Sequence, residues 1–249
     1  MVLKRGSSGP AVARLAQDLI QLGYHQGTPS ADFGDALARA VKAFQMQNAD
    51  SVGRPLVVDG IVGPVTEAAI ARRLGRMQPA PPVVPAGGLA MPATGGSPTA
   101  RGALQAALGE LAAGCGEIGG NNMGPHVARY LNRILAPPAD WCAGFVSWCF
   151  QNSGQPMPYP YSLGARDVLK KLRDRGCAVT PTDDDPPQPG DVVCWWRGAP
   201  GGWQGHVGLV HSYADGIVRT VEGNKTPKVG TFTYTLASID RLLGFARVP

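Results

Sequence analysis

Apolar positions near the start of the chain recur at helical spacing in three short blocks. Pro10 opens the first, with Val12, Leu15, Leu19 and Leu22 on one face and Gly23 as its stop. Leu37, Ala40, Val41 and Phe44 mark the second. The third starts at Pro64, continues through Val65, Ala68, Ala69 and Ile70, and ends by Gly75. Further on, Leu104, Ala107, Leu108 and Leu111 form another helical stripe, and Val127, Leu131, Ile134 and Leu135 form one after Pro125. Phe145, Val146, Cys149 and Phe150 predict a helix over 142–152. Leu163, Val168, Leu169 and Leu172 predict one more, with Ser162 as its cap and Gly176 as its stop. The pattern then changes to short strand candidates at 191–196, 206–213, 216–222, 230–235 and 243–248, with Asp215-Gly216 as a hairpin turn.

Three helices with nothing else predict a small all-α N-terminal domain over 1–75. Helices followed by an antiparallel sheet predict an α+β C-terminal domain over 103–249. Between them, residues 76–102 hold six prolines, five glycines and only two charges, which reads as a linker, stiff at first and looser after Gly87.

With 249 residues, 44% of them apolar and 16% charged, the chain can bury two cores. No run of 18 apolar residues occurs, so no membrane insertion is expected. Met1 to Gly6 has no secretory-type segment. The expectation is synthesis in the cytoplasm, with any action outside it requiring another route of exit. The net charge of +5 suits a polyanionic partner, but the basic residues are scattered and no cluster with interleaved aromatics supports nucleic-acid binding. The five cysteines (Cys115, Cys142, Cys149, Cys177 and Cys194) show no zinc spacing and no disulfide ladder, so no metal or other cofactor is assigned. One bridge among Cys115, Cys177 and Cys194 stays open.

The chemistry lies in the second half. Pro137 and Pro138 force the 142–152 helix to begin near Asp140 to Cys142, which puts Cys142 in its first turn. Unpaired N–H groups and the positive end of the helix dipole favour an anion there. A free thiol titrates at about pH 8.5, and this position, with a nearby imidazolium, predicts thiolate at neutral pH. The same N–H groups suit an oxyanion. Cys149, seven residues later and roughly 10 Å away by helical rise, falls on the apolar stripe and suits core packing. His206 stands at the mouth of a strand after Gly201, Gly202 and Gly205. His25 and His126 lie elsewhere, and spacing alone does not separate His206 from His211. Glu222 and Asn224 share a parity on the return strand, and a cysteine–histidine pair needs such a carboxylate or amide to hold the imidazole.

These residues carry a resemblance. Asn122-Met123-Gly124-Pro125, Trp141-Cys142-Ala143-Gly144-Phe145-Val146, Pro189-Gly190-Asp191-Val192-Val193, Gly205-His206-Val207-Gly208 and Val221-Glu222-Gly223-Asn224 resemble the CHAP family of cysteine- and histidine-dependent amidohydrolases/peptidases. That resemblance implies a papain-like fold for 103–249, with Cys142 as nucleophile, His206 as base, and Glu222 and Asn224 as polar partners. Asn122, Asp140, Trp141 and Trp203 are expected to bind substrate. Some family members bind calcium through an aspartate-rich loop before the cysteine; no such loop occurs here. The N-terminal segment resembles the three-helix peptidoglycan-binding family through Gly6 to Val12, Gly23-Tyr24, Phe33-Gly34, Phe44-Gln45 and Val58-Asp59-Gly60-Ile61-Val62-Gly63-Pro64. It departs at Ala16 and Leu37. Asp59, Gly60 and Gly63 are the expected wall-binding positions.

Together these imply a monomeric peptidoglycan amidase or endopeptidase similar to a modular phage endolysin, released through a holin lesion. A secreted antibacterial effector with the same chemistry, an inert wall-binding protein and a papain-type protease are the alternatives.

Overall fold

The computed structural model describes residues 2–48, 50, 56–76 and 89–249. The chain divides into two compact units, Met1–Pro82 and Val83–Pro249.

In the first unit, α1 spans Pro10–Gln21, α2 Asp35–Gln47 and α3 Pro64–Arg73. Proline occupies the first turn of α1 and of α3, where a missing N–H costs nothing. Val12, Leu15, Leu19, Leu37, Val41, Phe44 and Ile70 close into one core. Ala16 and Leu37, the two departures from the family pattern, are both buried in it. The buried Gln45 amide ties α2 to the loop before α3: Nε2 donates to Asp59 Oδ1 at 2.8 Å and Ile61 O at 2.9 Å, and Oε1 accepts from Gly60 N at 2.8 Å.

The second unit contains α4 (Pro98–Ala112), α5 (Pro125–Tyr130), α6 (Cys142–Gln151) and α7 (Ala165–Arg173). Six strands follow: β1 (Ala178–Val179), β2 (Val192–Trp196), β3 (Gly205–Ala214), β4 (Ile217–Glu222), β5 (Gly230–Thr235) and β6 (Leu242–Ala246). They form one antiparallel sheet in the order β1-β6-β2-β3-β4-β5. The main core lies between α4, α6 and α7 and the sheet face carrying Val192, Cys194, Val207, Leu209 and Val221. On the opposite face Val193, Trp195, Val210, Val218, Tyr234 and Phe245 form a second cluster.

Register in the β3–β4 hairpin is not regular. Ala214 pairs with Ile217 and Ser212 with Arg219, but Val210 pairs with Thr220, so His211 is an extra residue in β3. Its ring is held by Ala90 O at 2.9 Å and by Ser212 Oγ at 2.9 Å.

Three expectations need correction. The stripe after Pro125 gives only a short helix, because Asn132 and Arg133 take positive φ and leave Ile134 and Leu135 exposed. Ser162 does not cap α7, whose cap position is Gly164; its hydroxyl accepts from Gly164 N at 3.1 Å and donates to Asp167 Oδ2 at 2.6 Å. The linker reading also ran too far. Residues 77–88 lie outside the described residues, but Leu89 and Met91 pack on the core of the second unit, and Arg101 donates to the carbonyls of Pro92 and Gly95. Pro98 opens α4, with Ser97 Oγ accepting from Ala100 N at 3.1 Å. Here proline and serine start a helix, a use that composition does not distinguish from a linker. All five cysteines are free thiols.

A fragment starting at residue 89 should therefore be more stable than one starting at 103. The shorter piece loses the Ser97 cap, the buried Ala100 and the Ala90–His211 bond, and should unfold about 3 kcal/mol more easily in urea. Equal midpoints for the two fragments would restore 76–102 as linker throughout.

Candidate active site

α6 starts at Cys142 because Trp141 anchors it. Trp141 is fully buried, stacks on Tyr130 with ring centroids 5.3 Å apart, and donates from Nε1 to Glu117 Oε1 at 3.3 Å. Gly223 makes room for it: a Cβ there would meet Trp141 Cζ3 at 2.5 Å. This corrects the expectation that Trp141 binds substrate, since a fully buried ring supports the helix start and offers nothing to a ligand. Cys149, further along α6, lies in the core as expected.

The Cys142 thiol reaches the sheet where β3 and β4 part. Their ladder runs only from Ala214↔Ile217 to Leu209↔Val221. Beyond it, the backbone N–H groups of Val207 and of Ala143, in the first turn of α6, act on the Cys142 sulfur and favour its ionised form. The thiol thus stands one residue from His206. It is only 7% exposed, and burial, helped by Asp140, pushes it up to about 12. Arg197 and the two N–H groups oppose that shift without cancelling it. Burial thus works against the expected resting thiolate, outweighing Arg197 and the two N–H groups.

His206 is buried beside Trp195, and its Nε2 lies 2.7 Å from Glu222 Oε2. Burial and the Arg197 charge lower the imidazole to about 4, although Glu222 pulls the other way. Glu222 has no exposed surface, yet Lys225 and His206 hold it ionised at about 2 against the desolvation that would raise it. An ionised carboxylate only accepts, so Nε2 carries the ring proton and Nδ1 the lone pair. Gly208 is required for this contact, because a Cβ there would meet Glu222 Cγ at 2.6 Å. The bulge is required too. In an unbroken ladder Glu222 would face with Leu209 towards the helices; with His211 unpaired it aligns with Gly208, on the face of His206.

Asn224 does not take the orienting position. Its Nδ2 and that of Asn122 both donate to Asp140 Oδ1, each at 3.4 Å, from two buried residues with positive φ. They fix the loop two residues before Cys142, and their own Oδ1 atoms have no partner among the described residues. Trp203 is 78% exposed on the loop before β3, which Arg166 holds through Gln204 O at 2.7 Å and Pro200 O at 2.8 Å. His211, bonded to Ala90 and Ser212 in the bulge, lies outside the site.

In the first unit, Asp59 Oδ1 accepts from Gln45 Nε2 and from Ile61 N, Gly60 is buried, and Gly63 precedes α3 at its cap position. These three residues belong to the segment that leads into α3.

Four residues of the site were not anticipated. Arg197 is fully buried just after β2, and its charge acts on Cys142, Tyr234, Glu222 and Asp140. Thr220, Lys225 and Tyr234 surround Glu222. Thr220 was findable, since it shares strand parity with Glu222. Arg197, Lys225 and Tyr234 follow or occupy strand segments that read as ordinary strand ends or pairs.

No helix among the described residues is long and apolar enough to cross a membrane. No curated protein and no solved structure matches the chain. Two family models do: residues 136–224, which include Cys142, His206, Glu222 and Asn224, match the "CHAP domain", and residues 8–70 match the "Putative peptidoglycan binding domain". The chain thus carries a match to a putative peptidoglycan-binding domain ahead of a match to a CHAP domain, a layout that supports a cell-wall binding and hydrolase function.

Proposed function

We propose that the chain cleaves an amide bond of peptidoglycan, between sugar and L-alanine or within the stem peptide, by nucleophilic catalysis at Cys142. The observation that carries this reading is the buried His206–Glu222 contact at 2.7 Å, with His206 directly before Val207, whose backbone N–H acts on the helix-borne Cys142 thiol. His206 Nδ1 takes the thiol proton as the sulfur attacks the carbonyl carbon, and the N–H groups of Val207 and Ala143 offset the developing negative charge. The imidazolium, stabilised by Glu222, gives the proton to the leaving amine, and water then releases the acyl group from sulfur. Because thiol and imidazole are both neutral at rest, proton transfer accompanies attack.

Asp140 lies two residues before the cysteine with Asn122 bonded to it, and Trp203 presents an exposed ring on the loop before β3; these are the residues assigned to substrate contact in this reading. Residues 1–75 act as the wall-binding part and 89–249 as the hydrolase, with tethering raising the effective concentration of enzyme at an insoluble substrate. The working form is a monomeric phage endolysin that reaches the wall after membrane lesion.

Cys142→Ala should lower lysis of purified sacculi about a thousandfold or more while the full chain still pellets with them. Lysis near the wild-type rate would remove Cys142 as nucleophile. Muropeptide mass spectrometry of the wild-type digest then identifies the bond.

The imidazole is the base only when neutral, so the rate should fall as pH drops through about 4. Glu222 raises the imidazole. Its replacement in Glu222→Gln should therefore move the acidic limb lower still and reduce turnover about a hundredfold or more. Asn224→Ala should leave the limb in place. An unmoved limb in Glu222→Gln would transfer the orienting role to Asn224.

A further inference from the structure

Lys225 lies directly after the Glu222-Gly223-Asn224 run, and its side chain has no exposed surface. Lysine is almost never buried to this extent without a partner. Its Nζ is 3.4 Å from Glu222 Oε2, 4.0 Å from the ring centroid of Phe232 and 4.6 Å from that of Tyr234. It also donates to the Tyr234 hydroxyl. That hydroxyl in turn donates to Glu222 Oε1 at 2.7 Å, as does Thr220 Oγ1 at 2.5 Å.

The division of labour between the two carboxylate oxygens is what matters. Oε1 is taken by Thr220 of β4 and Tyr234 of β5, while Oε2 faces His206 of β3 and Lys225. Arg197, after β2, adds a further positive charge within range. With Oε1 fixed on one side and the ammonium on the other, Glu222 has one direction left for the imidazole. A buried carboxylate facing only histidine would instead draw the proton of Nε2 toward itself and strengthen the imidazole as a base. The ammonium counters this by stabilising the carboxylate directly.

We propose that Lys225 is a positioning residue of the active site, clamped between Phe232 and Tyr234, which keeps Glu222 ionised and aimed at His206 Nε2 so that Nδ1 is the nitrogen offered to Cys142. This rests on the reading of Cys142 and His206 as nucleophile and base. Its consequence is opposite in sign to that of Glu222 itself. Removing the ammonium takes a positive charge away from His206, which then binds a proton more readily, whereas removing the carboxylate does the reverse.

The test uses full-length protein and iodoacetamide, with alkylation of Cys142 followed by mass spectrometry from pH 3 to 8. In Lys225→Met the acidic inflexion of the alkylation rate should move upward by about one pH unit, with the rate at about pH 4 falling several-fold, while Glu222→Gln moves it downward. An inflexion in Lys225→Met that coincides with wild type overturns the proposal. Should that variant fail to fold, the wild type still decides the matter. Nitrogen-15 NMR of labelled lysines should show a protonated, slowly exchanging Lys225 ammonium at pH 7, and a neutral amine there overturns it. Alkylation requires no peptidoglycan, so an inactive enzyme on sacculi with shifted inflexions in both variants counts against the substrate alone. A Cys142 no more reactive than the other four thiols strikes the nucleophile assignment and this inference with it.

Discussion

The hydrogen bond between His206 Nε2 and Glu222 Oε2 crosses two neighbouring strands on a buried face, and the register that permits it depends on one unpaired residue, His211. Side chains alternate along a strand, so an insertion of one residue exchanges the faces of everything beyond it. With the bulge, Glu222 aligns with Gly208 and reaches His206 across the space that a side chain at 208 would fill. Without it, the carboxylate would point into the apolar layer under α6, where nothing could compensate its charge. The bulge is itself held from outside the sheet, because the His211 ring bonds Ala90 in the segment before α4. A stretch that composition marks as linker thereby supports the register of the active site.

Burial then sets the chemistry. His206 and Cys142 are both moved away from their charged forms, the imidazole to about 4 and the thiol to about 12. The only group of the three that stays ionised is Glu222, which is surrounded by Thr220, Tyr234, Lys225 and His206. A buried charge needs hydrogen bonds on its remaining lone pairs to be tolerated, and this carboxylate has them on both oxygens. The fixed charges of Lys225 and Arg197 are already in place before any substrate arrives. They oppose protonation of His206 in the free protein and leave it competent as a base. In the mechanism proposed above, the N–H groups at the start of α6 act on the negative charge that develops during attack.

The first unit works on a different principle. Gln45 bonds Asp59, Gly60 and Ile61 through its amide, so one buried side chain holds residues 59–61 ahead of α3. Residues 8–70 match a putative peptidoglycan-binding domain, and Ala16 and Leu37, where the sequence departs from the family pattern, are buried in the core. Substitution there changes packing and leaves the outer surface as it was.

Periodicity determined most of the architecture. Three N-terminal helices, the helix beginning at Cys142 and five of the six strands follow from apolar spacing and from glycine and proline punctuation, because each of those signals acts within a few residues. The ordered motif residues Cys142, His206 and Glu222 were legible for the same reason, as each sits at an element end that local sequence defines. What the tertiary structure alone decided is non-local. The bulge at His211 chose between two strand faces, and no local signal announces a bulge when the alternating pattern continues on both sides. Burial reversed the expected ionisation of Cys142, since the cost of desolvation depends on what packs over the sulfur. Trp141 proved to be a wedge against Gly223 and Tyr130, and Lys225 a buried cation among Phe232, Tyr234 and Glu222. Their partners come from distant segments, and only the folded sheet brings those segments within reach.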